Sequence, residues 1–501
     1  MKRITNYKFY LTLCAALAVF QAEPVLAQTT VQGSQTAPAS NRFSLRQCID
    51  IALKNNLQIK QSELNVQGSN LQLKQAKMNL LPNLQAFANQ SFSSGRNINP
   101  GTNEFVESSI SSNNYQLTSA VTLFNGMALQ NTIKQFNLLF QSNQQNLLAT
   151  QNTVALTVVQ NYLNVLTFQE QLDIARRQVE TSQGQLQRTE KLVNAGTLAE
   201  AQLYDLRAQV ANDELAVVNA QNNLDLAKLA LLQAMNLSAT TPNGTPAPET
   251  IEVERYDLPD PTLEPYSANA QQVYENALQF MPDIKAAELR VRSDAAGVAA
   301  ARGGLYPTLS ISGSLSTLYS NVGLQRQIED GVTQIPQTIL LPDGTQQQIF
   351  ILAKNFRSEK FSYGQQLNNN LNRGLSLNLS IPIFGRYQAR NRIVNATITQ
   401  KSSEIIADNA RLTLRQNIET AYTSMVAAGR RYRTTQVQVE SLEKAFQAAE
   451  SRFNAGALNS VDYSIAKNNL DRARANLVQA KFDYIFRTKI LDFYQNKPLS
   501  F

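Results

Sequence analysis

Two stretches of this chain are near copies of one another. Val193-Asn194-Ala195-Gly196-Thr197-Leu198 returns 260 residues later as Phe453-Asn454-Ala455-Gly456-Ala457-Leu458. The same offset aligns Leu117-Thr118-Ser119-Ala120-Val121-Thr122-Leu123-Phe124 with Leu377-Asn378-Leu379-Ser380-Ile381-Pro382-Ile383-Phe384. Upstream the offset is 225: Ile59-Lys60 meets Ile284-Lys285, and Leu81-Pro82-Asn83-Leu84 meets Tyr306-Pro307-Thr308-Leu309. The halves therefore differ by one insertion of 35 residues between Pro307 and Phe384. A duplicated unit this long dictates a repeat architecture, with the two halves in equivalent places around an axis.

Composition removes several function classes. None of the 501 residues is histidine, which excludes histidine acid–base chemistry, histidine triads and histidine metal ligands. No phosphate-binding or dinucleotide-binding glycine motif is present. The sequence offers no catalytic residue, metal ligand or cofactor site, although carboxylate chemistry alone stays open. The net charge of +7 is well mixed, without a basic stripe interleaved with aromatics, so nucleic acid is not an expected partner.

Lys2, Arg3 and Lys8 precede an apolar stretch from Phe9 to Phe20, and Val25-Leu26-Ala27 fits a cleavage site. Residues 1–27 thus read as a secretory signal peptide. Cys14 sits inside the apolar stretch after the bulky Leu13, which argues against a lipoprotein signal. Cys48 is then the one cysteine left, so no internal disulfide is expected.

Each half reads as helix, strand, loop, strand, long helix, tight turn, helix. A first helix is expected from Ser44, a plausible N-cap, to Leu80, ended by Pro82. Its counterpart runs from Ala268 to Leu305 and stops at Pro307. From Thr308 residues alternate, with Leu309, Ile311, Gly313 and Leu315 facing one way and Thr308, Ser310, Ser312, Ser314 and Ser316 the other. From Leu375 the leucines and Ile381 and Ile383 alternate with Ser376, Asn378, Ser380 and Pro382, and Asn114 to Phe124 alternates in part. Strands of about ten residues suit a tilted crossing of a bilayer, and equally one sheet face packed on a soluble core. The insertion falls between the strands of half two and contains the turn signal Leu341-Pro342-Asp343-Gly344-Thr345, with Asn97 to Asn113 as its shorter counterpart.

Met127 to Val193 and Tyr387 to Phe453 contain no proline, and each stretch would span roughly 100 Å as helix. After each turn a seam follows in steps of three and four. Its residues are Leu203, Leu206, Val210, Asp213, Val217, Ala220, Leu224, Ala227 and Leu231, and then Tyr463, Ala466, Leu470, Ala473, Leu477, Ala480, Tyr484, Arg487 and Leu491. That spacing is a coiled-coil signal. The chain divides into signal peptide 1–27, first repeat 28–236, a proline-rich linker 237–266 and second repeat 267–501.

Four bilayer-length strands cannot close a barrel with a lumen, and an open sheet edge cannot face lipid. Other copies must complete the sheet, with serine and asparagine lining water and leucine and isoleucine facing lipid. The helices are too polar to cross a bilayer and must continue as a soluble tube.

These features together resemble the TolC family of outer-membrane efflux proteins. The resemblance rests on the duplication, the Leu-Pro motif before the first strand, Leu123-Phe124-Asn125-Gly126, Ile383-Phe384-Gly385 and the turn motif Arg452-Phe453-Asn454-Ala455-Gly456-Ala457-Leu458-Asn459-Ser460-Val461-Asp462. It implies a membrane β-barrel joined to a long α-helical coiled-coil barrel. A homotrimer of four-stranded chains would form a twelve-stranded barrel and a twelve-helix periplasmic tunnel. Expected partners are outer-membrane lipid, a periplasmic adaptor (membrane fusion) protein and an inner-membrane transporter of the RND or ABC kind.

The resemblance also assigns site residues. Adaptor-docking tips fall at Asn194, Gly196 and Leu198 and at Arg452, Asn454, Gly456, Leu458 and Ser460. Half one carries Leu192 and Glu200 in place of the arginine and serine. The glycines are also what a left-handed helix end requires. The family's paired gate carboxylates map onto Asp462 and Ile465, and in half one onto Gln202 and Asp205, so Asp462 and Asp205 are the gate candidates. Both also suit a helix N-terminus. The function expected is a passive exit duct rather than an enzyme. A structural trimeric coiled-coil surface or adhesin protein without transport is the alternative, disfavoured by helices that turn back.

Overall fold

The computed structural model of the chain describes residues 42–98, 103, 105–107, 109–238, 251–255, 266–322, 325–342 and 344–497. The expected signal peptide, Cys14 and most of the linker lie outside them.

The first half contains β1 (Arg42–Phe43), α1 (Leu45–Asn55), α2 (Leu57–Met78), β2 (Asn83–Ser93), β3 (Arg96–Ile98), β4 (Phe105–Glu107), β5 (Ile110–Phe124), α3 (Ala128–Asn194) and α4 (Glu200–Ala234). After β6 (Glu252–Val253), the second contains α5 (Ala270–Phe280), α6 (Pro282–Gly303), β7 (Thr308–Ser320), β8 (Gln325–Leu340), β9 (Gln346–Lys360), α7 (Tyr363–Asn369), β10 (Asn372–Ser380), α8 (Gln388–Asn454) and α9 (Ser460–Phe493). The long helices α3 and α8 have 67 residues each.

The expected first helix of each half is two helices. Ser44 caps α1 with a capping box to Gln47, but at Asn56 the backbone turns extended and its side chain caps α2 through the Gln58 amide. In half two Met281 is extended because Pro282 follows, and proline opens α6 where its missing N–H costs nothing. A second correction concerns β10, which ends at Ser380. Pro382 has no amide to offer a ladder, so Ile381 and Ile383 lie beyond the strand. The described part of the linker does more than connect. Its β6 pairs in parallel with β1, Ile251 and Val253 are buried, and Tyr162 donates its hydroxyl to the Glu254 carbonyl at 2.8 Å.

Strands β10, β7, β5 and β2 form one antiparallel sheet in that order, so the halves meet at the β5–β7 pair. Below it, α2 and α6 flank α3, α6 also packs on α8, and α4 and α9 return along α3 and α8 as antiparallel hairpins. The seam read from the sequence is inside: Leu203, Leu206, Val210, Asp213, Leu224, Ala227 and Leu231 are buried, as are Tyr463, Leu470, Ala473, Ala480 and Leu491. The largest core cluster centres on Tyr162, Val158 and Leu231, sealed by Cys48 and Ala52 of α1.

The 35-residue difference between the halves is the β8–β9 hairpin, turned at Leu341–Thr345 with Gly344 at φ 86°. Among the described residues, half one carries only the three-residue pair β3–β4 at the same place.

Candidate functional site: the duct wall and the hairpin tips

The strand register sorts side chains onto two faces. Leu84, Ser119, Gly313 and Leu375 share one face, as do Ala86, Leu117 and Leu315, and Val121, Ile311 and Leu377. A bulge between Thr122 and Phe124 turns Phe124 onto this face beside Leu309 and Leu379. The opposite face carries Gln85, Thr118, Ser314 and Gly374, then Ala120, Ser312 and Ser376, then Thr122, Ser310 and Asn378. Phe87 is an apolar exception there. The four strands hold one charged side chain, Arg373, which the register places on the apolar face opposite Leu315, towards the end where Tyr115 lies.

Aromatic groups bracket the apolar face. Tyr115, Tyr319 and Tyr363 gather at the outer end: the Tyr115 and Tyr363 hydroxyls are 2.8 Å apart, and the Tyr319 and Tyr363 ring centroids 4.6 Å. At the helix end Phe124, Tyr306, Phe384 and Tyr387 are exposed. From Tyr115 to Phe124 the strand rises about 30 Å, which at the tilt of a barrel strand is close to the ~25 Å apolar band of outer-membrane barrels. Both outer strands, β2 and β10, are exposed along their whole length.

At the other extreme both hairpins turn in the same way. Gly196 (φ 75°) and Gly456 (φ 74°) occupy the left-handed position. The Thr197 amide donates to the Leu192 carbonyl at 2.9 Å, and the Ala457 amide to the Arg452 carbonyl at 2.8 Å. This is a Schellman ending, which a side chain at the glycine would strain. Asn194, Arg452 and Asn454 are exposed, while Leu198 and Leu458 are half-buried. Leu458 packs on a cluster of Leu206, Phe453 and Tyr463, with Phe453 and Tyr463 stacked at 4.7 Å.

The structure brings two of the predicted residues together. Ser460, buried at the start of α9, donates to the Asp205 carboxylate of α4 at 2.7 Å. Asp462 lies two residues further on the same turn, exposed, with its amide held by Asn459 Oδ1 at 2.7 Å and its carboxylate accepting from Asn459 Nδ2 at 3.0 Å. Among the described residues Glu200, in the place equivalent to Ser460, reaches only the Tyr204 hydroxyl of its own helix.

Seven residues beyond Ser460, about 10 Å along the helix, lies a buried charge cluster that the sequence reading missed. Lys467 Nζ of α9 is 2.9 Å from both Asp213 of α4 and Asp471 of α9, with the lysine side chain 3 % exposed. Asp213 also accepts from Ser182 of α3 and from Gln209 at 2.9 Å, and Gln209 exchanges amide hydrogen bonds with Asn468. Three helices from both hairpins are thereby tied through one ammonium. Burial raises the Asp471 carboxyl above its ordinary value, opposed by Lys467. It also pushes the nearby Tyr463 hydroxyl up to about 12, with Glu450, Asp471 and Asp213 adding to it. The available signal was Asp213 itself, an acid in an otherwise apolar seam, which called for a buried cation.

Among the described residues no helix is long and apolar enough to cross a membrane, and no group of His, Cys, Asp and Glu could hold a metal ion.

Comparison with known proteins agrees with this geometry. The family model described as "Outer membrane efflux protein" matches residues 48–237 and 273–486, one match in each half. Outer membrane protein TolC of Escherichia coli (strain K12) is 22% identical over 469 residues, covering 92% of this chain and 83% of TolC. The Campylobacter jejuni CmeC outer membrane channel superposes with a TM-score of 0.70 at 17% identity, over 91% of this chain and 87% of that one. The outer membrane protein VceC of Vibrio cholerae gives 0.70 at 14% identity, over 91% and 97%. With both halves matched and the fold shared along nearly its whole length, the chain belongs to the outer membrane efflux protein family, as an outer-membrane channel whose helical hairpins form the periplasmic tunnel.

Proposed function

We propose that the chain is the passive outer-membrane exit duct of a tripartite export system, working as a homotrimer. The carrying observation is the sheet: one polar face, one apolar face bracketed by aromatics, and two open edges, β2 and β10. An unpaired edge in lipid leaves each outward-pointing N–H and C=O without a partner, at several kcal/mol for each group. Pairing β2 of one copy with β10 of the next removes the edges. Three copies give twelve strands around a water-filled lumen and, from α3, α4, α8 and α9 of each, twelve helices below it. The polar face then meets water and the apolar face lipid.

The tips face a periplasmic adaptor, which connects the duct to an inner-membrane pump of the RND or ABC kind. Asn194, Gly196 and Leu198 of one hairpin and Arg452, Asn454, Gly456, Leu458 and Ser460 of the other form the docking ends. The pump supplies the energy, and the duct carries out no chemical step. The returning hairpins favour this over an adhesin stalk, in which helices run one way.

The purified protein is expected to be trimeric by native mass spectrometry and to give discrete ion currents in planar bilayers. Trimers without current would favour the structural stalk.

Asp462 and Asp205 are the gate carboxylates in this reading, with Asp205 held toward α9 by Ser460. Three copies make rings of like charge, which select cations. Asp462→Asn and Asp205→Asn are each expected to lower the cation preference of the current at neutral pH, and more so together. Unchanged selectivity in both variants would remove them from the gate.

A further inference from the structure

The β8–β9 hairpin stands apart from the rest of the chain. It leaves the sheet after Ser320 and returns at Tyr363, so it rises from the outer rim. Its 16-residue first strand extends about 50 Å. No other element packs along it among the described residues. From Gly331 to Ala353 the sequence has one ionisable side chain, Asp343.

Both faces of this ribbon carry apolar side chains, interspersed with Gln and Thr. The register puts Val332, Leu340, Phe350 and Leu352 on one face and Ile335, Ile339, Ile349 and Ile351 on the other. Exposure is 71% at Leu340 and Leu352 and 64% at Phe350. A lone two-stranded ribbon is marginal in water, and long uncharged edges invite pairing with another chain. Exposed apolar patches of this extent mark interaction surfaces.

The occupant follows from charge, symmetry and continuity. Phosphorylated lipid headgroups call for Lys or Arg, and the ribbon's four, Arg326, Lys354, Arg357 and Lys360, all lie towards its base, while the apolar span 331–353 contains neither. A partner docking from one side would leave the second face wet. A ring of identical copies needs two different patches on each, one toward either neighbour, and the two faces of the ribbon are such a pair. The hairpin is also continuous with the sheet whose edges other copies complete. Three ribbons would then stand around one mouth at an effective concentration in the millimolar range. We propose that the β8–β9 hairpins of three copies pack face to back into a crown over the outer mouth of the duct. This rests on the trimeric duct proposed above.

The test uses the full-length protein with Cys48→Ala and the pair Ile335→Cys, Leu352→Cys, one thiol on each face, treated with a short bismaleimide. Covalent dimers and trimers are expected on denaturing gels, with little from either cysteine alone. Gln337→Cys with Thr338→Cys, polar positions on the same two faces, repeats the test if the apolar pair does not assemble. No covalent species from a protein that native mass spectrometry shows to be trimeric would overturn the crown and leave the duct standing. A monomeric protein would overturn both.

Discussion

Lys467→Met is expected to loosen the junction between the two hairpins more than any other single change in the helical body. The ammonium bridges Asp213 and Asp471 with all three side chains at least 86 % covered. Removing one member of a buried charge group strands the remainder, at ~3–5 kcal/mol. Hydrogen exchange should report it. Amides of residues 203–213 and 463–471 should exchange about a hundredfold or more faster, since each 1.4 kcal/mol of opening energy is about tenfold. Asp471→Asn should do far less, because Lys467 keeps Asp213 and the residue lost is the one burial already disfavours as an anion.

The pH dependence has a definite sign. Burial raises the Asp471 carboxyl in the folded state, so above the usual carboxylate range the folded protein holds that proton more tightly than the unfolded chain. Stability contributed there is present at low pH and lost as pH rises through the raised value. Lys467 opposes the shift, so the methionine variant should show a larger raise and lose more stability than the native protein between mildly acidic and neutral pH. An equal loss in both proteins would mean that the ammonium does not govern Asp471.

Neighbouring residues of β10 should respond in opposite ways to the same substitution. Leu375 lies midway along the apolar face opposite Gly313, and Ser376 lies on the polar face opposite Ser312. An arginine at the bilayer midplane of an outer-membrane barrel costs ~2–4 kcal/mol, and in a trimer it is placed three times. Leu375→Arg is therefore expected to cut the yield of assembled protein in the outer membrane severalfold or more. Ser376→Arg should assemble normally and shift the ion selectivity of the current toward anions. Equal assembly of the two variants would mean that the faces are assigned wrongly.

Much of this architecture was legible because period and spacing report it directly. The serine–leucine alternation of β7 and β10 gave the two faces, and the three-and-four steps through Leu203 and Tyr463 gave the buried seam. The breaks at Asn56 and Met281 were harder. Asn56 changes backbone direction through its own side chain, without proline or glycine, while Pro282 sits inside a stretch whose apolar spacing runs on. The end of β10 at Ser380 was masked in the same way, since Ile381 and Ile383 continue the alternation although Pro382 cannot continue the ladder. At the tips, the family resemblance pointed to Asp205, Ser460 and Asp462, but their contacts depend on how two hairpins meet. Lys467 was invisible for that reason: it lies on a helix of half two, and its partner Asp213 is 254 residues away in half one.

If the polar face of the sheet lines water continuous with the exterior, a single-cysteine scan from Thr308 to Ser316 in outer-membrane vesicles, read with a charged, membrane-impermeant thiol reagent, will follow the strand register. The native Cys48 gives no background, being fully buried with its thiol pushed up to about 12, so almost none of it is reactive thiolate. Modification is predicted at positions 308, 310, 312, 314 and 316 and protection at 309, 311, 313 and 315. Equal labelling of both sets, or labelling confined to the leucine face, would contradict the duct.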